Sequence, residues 1–93
     1  MTQRITEKIL RGSVESLNLV SGQPVEPYTI GEDGNYHANI GNYHLDQAYG
    51  GSQLAQMVND GGGITTISCG GYVTKRELYN QIQALIKYAY TTK

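Results

Sequence analysis

Ten of the twelve glycines fall between Gly31 and Gly71, and that stretch contains neither Lys nor Arg. All seven basic residues lie outside it, in two flanking segments whose apolar residues recur at helical spacing. Glycine weakens helix interiors and supplies turns. The pattern therefore predicts a glycine-punctuated, mildly acidic β region held between two amphipathic helices. At 93 residues the chain makes one domain, spanning 1–93, with a small core.

The first helix is predicted from about Thr2 to Leu19. Ile5, Ile9, Leu10, Val14, Leu17 and Val20 share one side of its wheel; Arg4, Glu7, Lys8, Arg11, Glu15 and Asn18 share the other. Ser21-Gly22 ends it, and Pro24 and Pro27 keep the next residues extended. Val25 to Ile30 reads as a short strand that Pro27 confines to a sheet edge. Glu32-Asp33-Gly34-Asn35 is turn chemistry.

After the turn, Tyr36, Ala38 and Ile40 alternate with His37 and Asn39. Beyond Gly41 the apolar phase slips by one, to Tyr43 and Leu45. Strict strand alternation forbids such a slip, so a bulge or kink belongs at Gly41. Residues 52–58 suit a helix by propensity. As a strand paired with 43–49 across a Gly50-Gly51 turn, they set Tyr43, Leu45, Tyr49, Leu54 and Val58 on one face and His44, Asp46, Gln53 and Ala55 on the other. That one-sidedness favours the strand. Asn59 to Gly63 makes the next turn, and Ile64 to Ile67 a last strand.

The second helix opens at Thr74-Lys-Arg-Glu77, a capping box. Leu78, Ile82, Leu85, Ile86 and Ala89 form its apolar stripe, with Arg76, Asn80, Gln83 and Lys87 opposite. The expected fold is α+β: an antiparallel sheet of three or four strands with the N- and C-terminal helices packed on one face.

Asn35-Tyr-His-Ala-Asn-Ile-Gly-Asn-Tyr-His-Leu45, Ala48-Tyr-Gly-Gly51, Met57-Val-Asn-Asp-Gly-Gly-Gly63 and Thr74-Lys-Arg-Glu-Leu-Tyr79 resemble stretches of short hypothetical proteins from tailed bacteriophages and prophages. The likeness covers roughly Leu17 to Ile86. In that group an aromatic often follows the Ala-Tyr-Gly-Gly turn, where this chain has Ser52. The resemblance implies a phage-encoded accessory protein and carries over no site residue.

Function classes narrow by chemistry. His37, His44 and Asp46 are the residues that suggest a metal or acid–base site. A tight metal centre needs three or four convergent ligands, and no second His- or Cys-rich element supplies them; they read first as solvent-facing strand residues. Asn59-Asp60-Gly61-Gly62-Gly63 and Cys69-Gly70-Gly71 lack the spacing of a phosphate loop. Cys69 reads as a small buried hydrophobe, and a single cysteine excludes an internal disulfide. No cofactor, metal or catalytic residue is implied.

Net charge is −1, eight Tyr stand beside no Phe or Trp, and no apolar run reaches membrane-spanning length. These features predict an intracellular protein, in the host cytoplasm if phage-encoded. Its tyrosines suit a wet protein–protein surface. The first expectation is a non-enzymatic module binding a protein partner or a second copy of itself, through His44 and Asp46 on the sheet or Lys75, Arg76, Asn80, Gln83 and Lys87 on the last helix. The second is weak nucleic-acid binding by that helix, since the element order is shared with the double-stranded-RNA-binding domain and Lys75 and Arg76 sit at the matching helix start. A small metal-dependent enzyme comes third.

Overall fold

A computed structural model describes residues 4–92. The element order is α1 (Glu7–Ser21), β1 (Tyr28–Ile30), β2 (Tyr36–Ala38), β3 (Tyr43–Ala48), β4 (Gly51–Met57), β5 (Ile64–Thr66) and α2 (Lys75–Thr91). The fold is α+β, with a two-stranded sheet, β1-β2, and a three-stranded sheet in the order β3-β4-β5. All pairings are antiparallel.

The start of α1 expected at Thr2 lies outside the described residues, while Arg4 to Thr6 are non-helical. Thr6 is the N-cap, its hydroxyl accepting from the Ile9 N–H at 3.2 Å. The helix runs two residues past Leu19. It closes where Gln23 N–H reaches Asn18 O at 2.8 Å, the six-to-one bond of a Schellman ending. At α2, Thr74 is the N-cap as expected, accepting from Glu77 N–H at 3.1 Å.

Both helices lie on the Tyr43–Leu45–Leu54 face of the three-stranded sheet. Ile5, Leu10, Val14 and Leu17 of the N-terminal segment meet Leu54 of β4 and Leu78 and Ile82 of α2 in one core cluster. Tyr43, Leu45, Leu85 and Ile86 pack around it, half-buried. Leu10, Leu54, Leu78 and Ile82 are fully buried, each stabilising the fold by about 1.5–3 kcal/mol relative to exposure.

The strand reading of residues 52–58 is borne out, but its register moves by two. Leu45 pairs with Leu54 and Ala48 with Gly51, so the two-residue turn is Tyr49-Gly50. Gly51 is withdrawn into the strand because the chain at Tyr72 crosses directly over it. A Cβ there would lie 2.9 Å from the Tyr72 carbonyl carbon. A shift of two preserves side-chain parity, so His44, Asp46, Gln53 and Ala55 keep their common face. Val58 falls outside the strand, and Tyr49 moves into the turn.

The slip at Gly41 separates the two sheets. Met57 O accepts from Gly41 N–H while Met57 N–H donates to Asn42 O, both at 2.9 Å. Two residues thus oppose one, the arrangement of a bulge, and Gly41 has φ 96°. β1 is shorter than the 25–30 expected. The carbonyls of Pro24 and Val25 accept instead from the Asn42 carboxamide, at 2.7 and 3.0 Å.

Candidate protein-binding surface

The polar face of β3-β4 is organised around one carboxylate. Asp46 and Gln53 are register partners, and Gln53 Nε2 donates to Asp46 Oδ2 at 2.8 Å. Tyr72 reaches over from the chain before α2 and donates its hydroxyl to the same oxygen at 2.8 Å. The Gln53 bond first and the Tyr72 bond second hold the Asp46 carboxyl below its ordinary pKa. The carboxylate in turn raises the Tyr72 phenol.

Tyr72 also anchors an aromatic at the hairpin tip. The Tyr49 and Tyr72 rings meet edge-to-face, centroids 5.6 Å apart and planes at 69°. Tyr49 is 96% exposed. Its φ of 54° is the left-handed conformation, the one positive φ at a non-glycine among the described residues. With Gly50 at φ 74°, both central residues of the turn are positive, where Asn-Gly is the preferred pair. A side chain there costs about 1–2 kcal/mol. The edge-to-face contact returns about 0.5–1.5 kcal/mol, so Tyr49 brings the fold little net stability.

Other large apolar residues are exposed at several further places, Ile40, Val58 and Ile64 among them. Ile30 and Tyr36 face each other across β1-β2, 58% and 70% exposed. Leu19, Tyr88 and Tyr90 are exposed near the C-terminal ends of the helices.

A cleft of about 260 Å³ lies beside β3, bounded by Arg11 and Glu15 of α1, by Val25 to Pro27, and by Asn42 to Leu45. Asn42 Oδ1 and His44 Nδ1 are buried without a hydrogen-bond partner among the described residues. Each such orphan costs on the order of 1–3 kcal/mol. Both belong to residues lining this cleft.

The structure sets the expected partner-binding residues apart. His44 is half-buried beside the cleft, and Asp46 is engaged as described. Lys75, Asn80 and Lys87 are exposed on α2, across the sheet. Gln83 Nε2 donates to Ser13 Oγ at 3.3 Å, tying α2 to α1, and Arg76 is half-buried and already engaged. The α2 row is thus not a continuous free basic stripe.

His37 lies in a separate constellation. Its Nε2 faces Asp33 and its Nδ1 faces Asp60, each at 3.2 Å. The Asp33 bond first, then Asp60, raises the His37 pKa above its ordinary value. The Asn35 backbone N–H, and next His37, lowers that of Asp33. Both ring nitrogens are occupied, so the imidazole acts as a clasp between the β1-β2 turn and the β4-β5 turn. Among the described residues no group of three or more His, Cys, Asp and Glu is placed to hold a metal. None of their helices is long and apolar enough to cross a membrane.

Cys69 departs from the buried position expected of it. The thiol residue is exposed, and its backbone N–H and C=O are both bonded to the Gln81 carboxamide, at 2.8 and 3.1 Å. Sequence reasoning also missed Tyr49 and Tyr72 as a pair. The Tyr-Gly dipeptide is the one local signal, and a turn centred on Gly50-Gly51 competes with it. Comparison with known proteins gave no match: no family model, no curated protein and no solved structure aligns with the chain.

Proposed function

We propose that the protein is a phage-encoded accessory module that acts by binding another protein and carries no catalytic centre, with the β3-β4 hairpin as its contact surface. The phage origin rests on the sequence resemblance. The contact surface rests on Tyr49. A fully exposed aromatic occupies a left-handed turn position that Asn or Gly fills at less cost, and it is braced there by Tyr72 and Asp46. Backbone strain at an exposed residue supports a role outside folding, and tyrosine offers large contact area at low rotamer cost. The surrounding polar groups, Asp46, Gln53 and Tyr72, supply a rim.

Tyr49→Asn tests this reading because it separates folding from binding. The substitution relaxes the turn, so the thermal midpoint is expected to hold or rise. A partner captured from infected cells by the wild-type chain, and then purified, is expected to bind the variant at least about tenfold more weakly. Equal binding by both proteins overturns the assignment of the surface.

A further inference from the structure

The pairing of β3 with β4 leaves one flank of β3 open. The backbone groups of His44, Asp46 and Ala48 turn toward β4, so those of Tyr43, Leu45 and Gln47 turn outward. The outward N–H and C=O of Tyr43 are sealed by the Asn18 carboxamide. Those of Leu45 and Gln47 meet no partner among the described residues. The cleft bounded by α1 and by Val25 to Pro27 runs beside this same stretch.

Resting on the reading of the chain as a protein-binding module, we propose that the Leu45–Gln47 edge docks an extended, basic segment of a partner protein, which adds to β3 as a further antiparallel strand. Addition of a strand to an exposed edge is an established mode of peptide recognition: main-chain bonds give affinity, and alternate side chains give specificity.

Charge selects the occupant. Glu15 and Glu26 line the cleft and Asp46 stands on β3 beside the edge, against Arg11; Glu7 of α1 is already engaged, paired to Arg11 at 3.5 Å and close to Lys75. Gln53 and Tyr72 both donate to Asp46 Oδ2, leaving Oδ1 to accept from an incoming cation. Along the added strand, side chains on the Asp46 face are therefore Lys or Arg. Those on the Leu45 face, toward the core, are apolar.

A second copy fits poorly. A twofold axis at Leu45 needs the Tyr43 backbone that Asn18 already holds. An axis at Asp46 sets two carboxylates directly opposite each other, which is destabilising. An axis at Gln47 pairs Leu45 with Tyr49 in its left-handed turn.

The probe is a fluorescein-labelled Lys-Val-Lys-Val-Lys-Val peptide titrated with the full chain, read by polarisation and by amide shifts at Leu45 and Gln47. Saturable binding with shifts at both amides is expected. Methylating the valine nitrogens, whose N–H groups face β3, should abolish binding; methylating the lysine nitrogens, whose N–H groups face away, should leave it. A Glu-Val peptide should bind at least about tenfold more weakly, and Gln47→Pro should lose the probe.

Binding indifferent to which nitrogens are methylated, or self-association through β3 in sedimentation, overturns the proposal. So does the absence of binding at millimolar peptide. If a partner captured in a Tyr49-dependent way persists in that case, the inference alone falls; if that capture also fails, the protein-binding reading falls with it. The methylated peptides leave the protein unchanged, so misfolding of the Pro variant does not blunt the test.

Discussion

The Asn18 side chain closes a ring with the backbone of Tyr43: its Oδ1 accepts from the Tyr43 N–H at 2.8 Å and its Nδ2 donates to the Tyr43 C=O at 2.9 Å. A helix residue thus completes the outer edge of β3 where a neighbouring strand would. Asn18 is 1% exposed, so these bonds lie away from competing water. Asn18→Leu fills similar volume but leaves both backbone groups unpaired, and a loss of about 2–4 kcal/mol is expected in urea denaturation. Gln81 clasps the exposed Cys69 in the same way, but Gln81→Leu should cost under about 1 kcal/mol because water replaces the lost bonds. Equal losses at the two sites would mean that burial is not what sets their value.

Thr74→Ala removes the N-cap of α2, whose hydroxyl accepts from Glu77 N–H. The expected cost is about 1 kcal/mol, with Thr74→Ser close to wild type. A change lost in the noise of the titration places the working start of the helix elsewhere.

Gly41 combines a φ of 96° with a crowded site: a Cβ there would collide with the Gln23 carboxamide. Its carbonyl also accepts from Gln56 Nε2 at 3.1 Å. Gly41→Val is expected to destabilise by at least about 2 kcal/mol, since a β-branched residue resists positive φ. Gly41→Ala should cost less, because the end of the Gln23 side chain can swing aside. A Val variant of wild-type stability would show that the junction between the sheets tolerates ordinary backbone.

The His37 clasp makes stability depend on pH with a defined sign. The folded-state pKa of His37 is raised above 6.5 by Asp33 and Asp60. Its contribution is therefore complete below the ordinary imidazole value and fades as pH rises through the higher folded value. The pKa of Asp33 is lowered from 3.8, so its contribution is present above the ordinary carboxylate value and fades as pH falls through the depressed one. Maximum clasp strength falls between about pH 4 and 6.5. Urea midpoints should decline from pH 6 toward pH 8 in the wild type and lose that decline in His37→Gln. A His37 ring that titrates at or below 6.5 by NMR would refute the assignment.

The two helices, the capped start of α2 and the existence of β4 were legible because each depends on near neighbours in the chain. Leu78, Ile82 and Leu85 repeat at the helical period, and Thr74 and Glu77 sit one turn apart. The polar placement of Asn18 followed the same helical logic and missed its role. Periodicity assigns a side to a residue, and Asn is polar, but it does not show that a strand 25 positions onward presents bare backbone there. The hairpin register failed for the same reason. Gly50-Gly51 is the better local turn, yet Tyr72 passes over Gly51, and only a distant segment imposes that approach.

Sequence by itself therefore determined the element types and the α+β class, both set by local propensity and side-chain period. Tertiary structure decided what depends on contacts far apart in the chain. It divided the strands between two sheets at Gly41, drew His37 between Asp33 and Asp60, and braced Tyr49 on Tyr72. It also decided which backbone edge is sealed and which is left open. Hydrogen bonding and steric approach act through space, and in a chain this rich in glycine turns the sequence separation of partners carries little information about their distance.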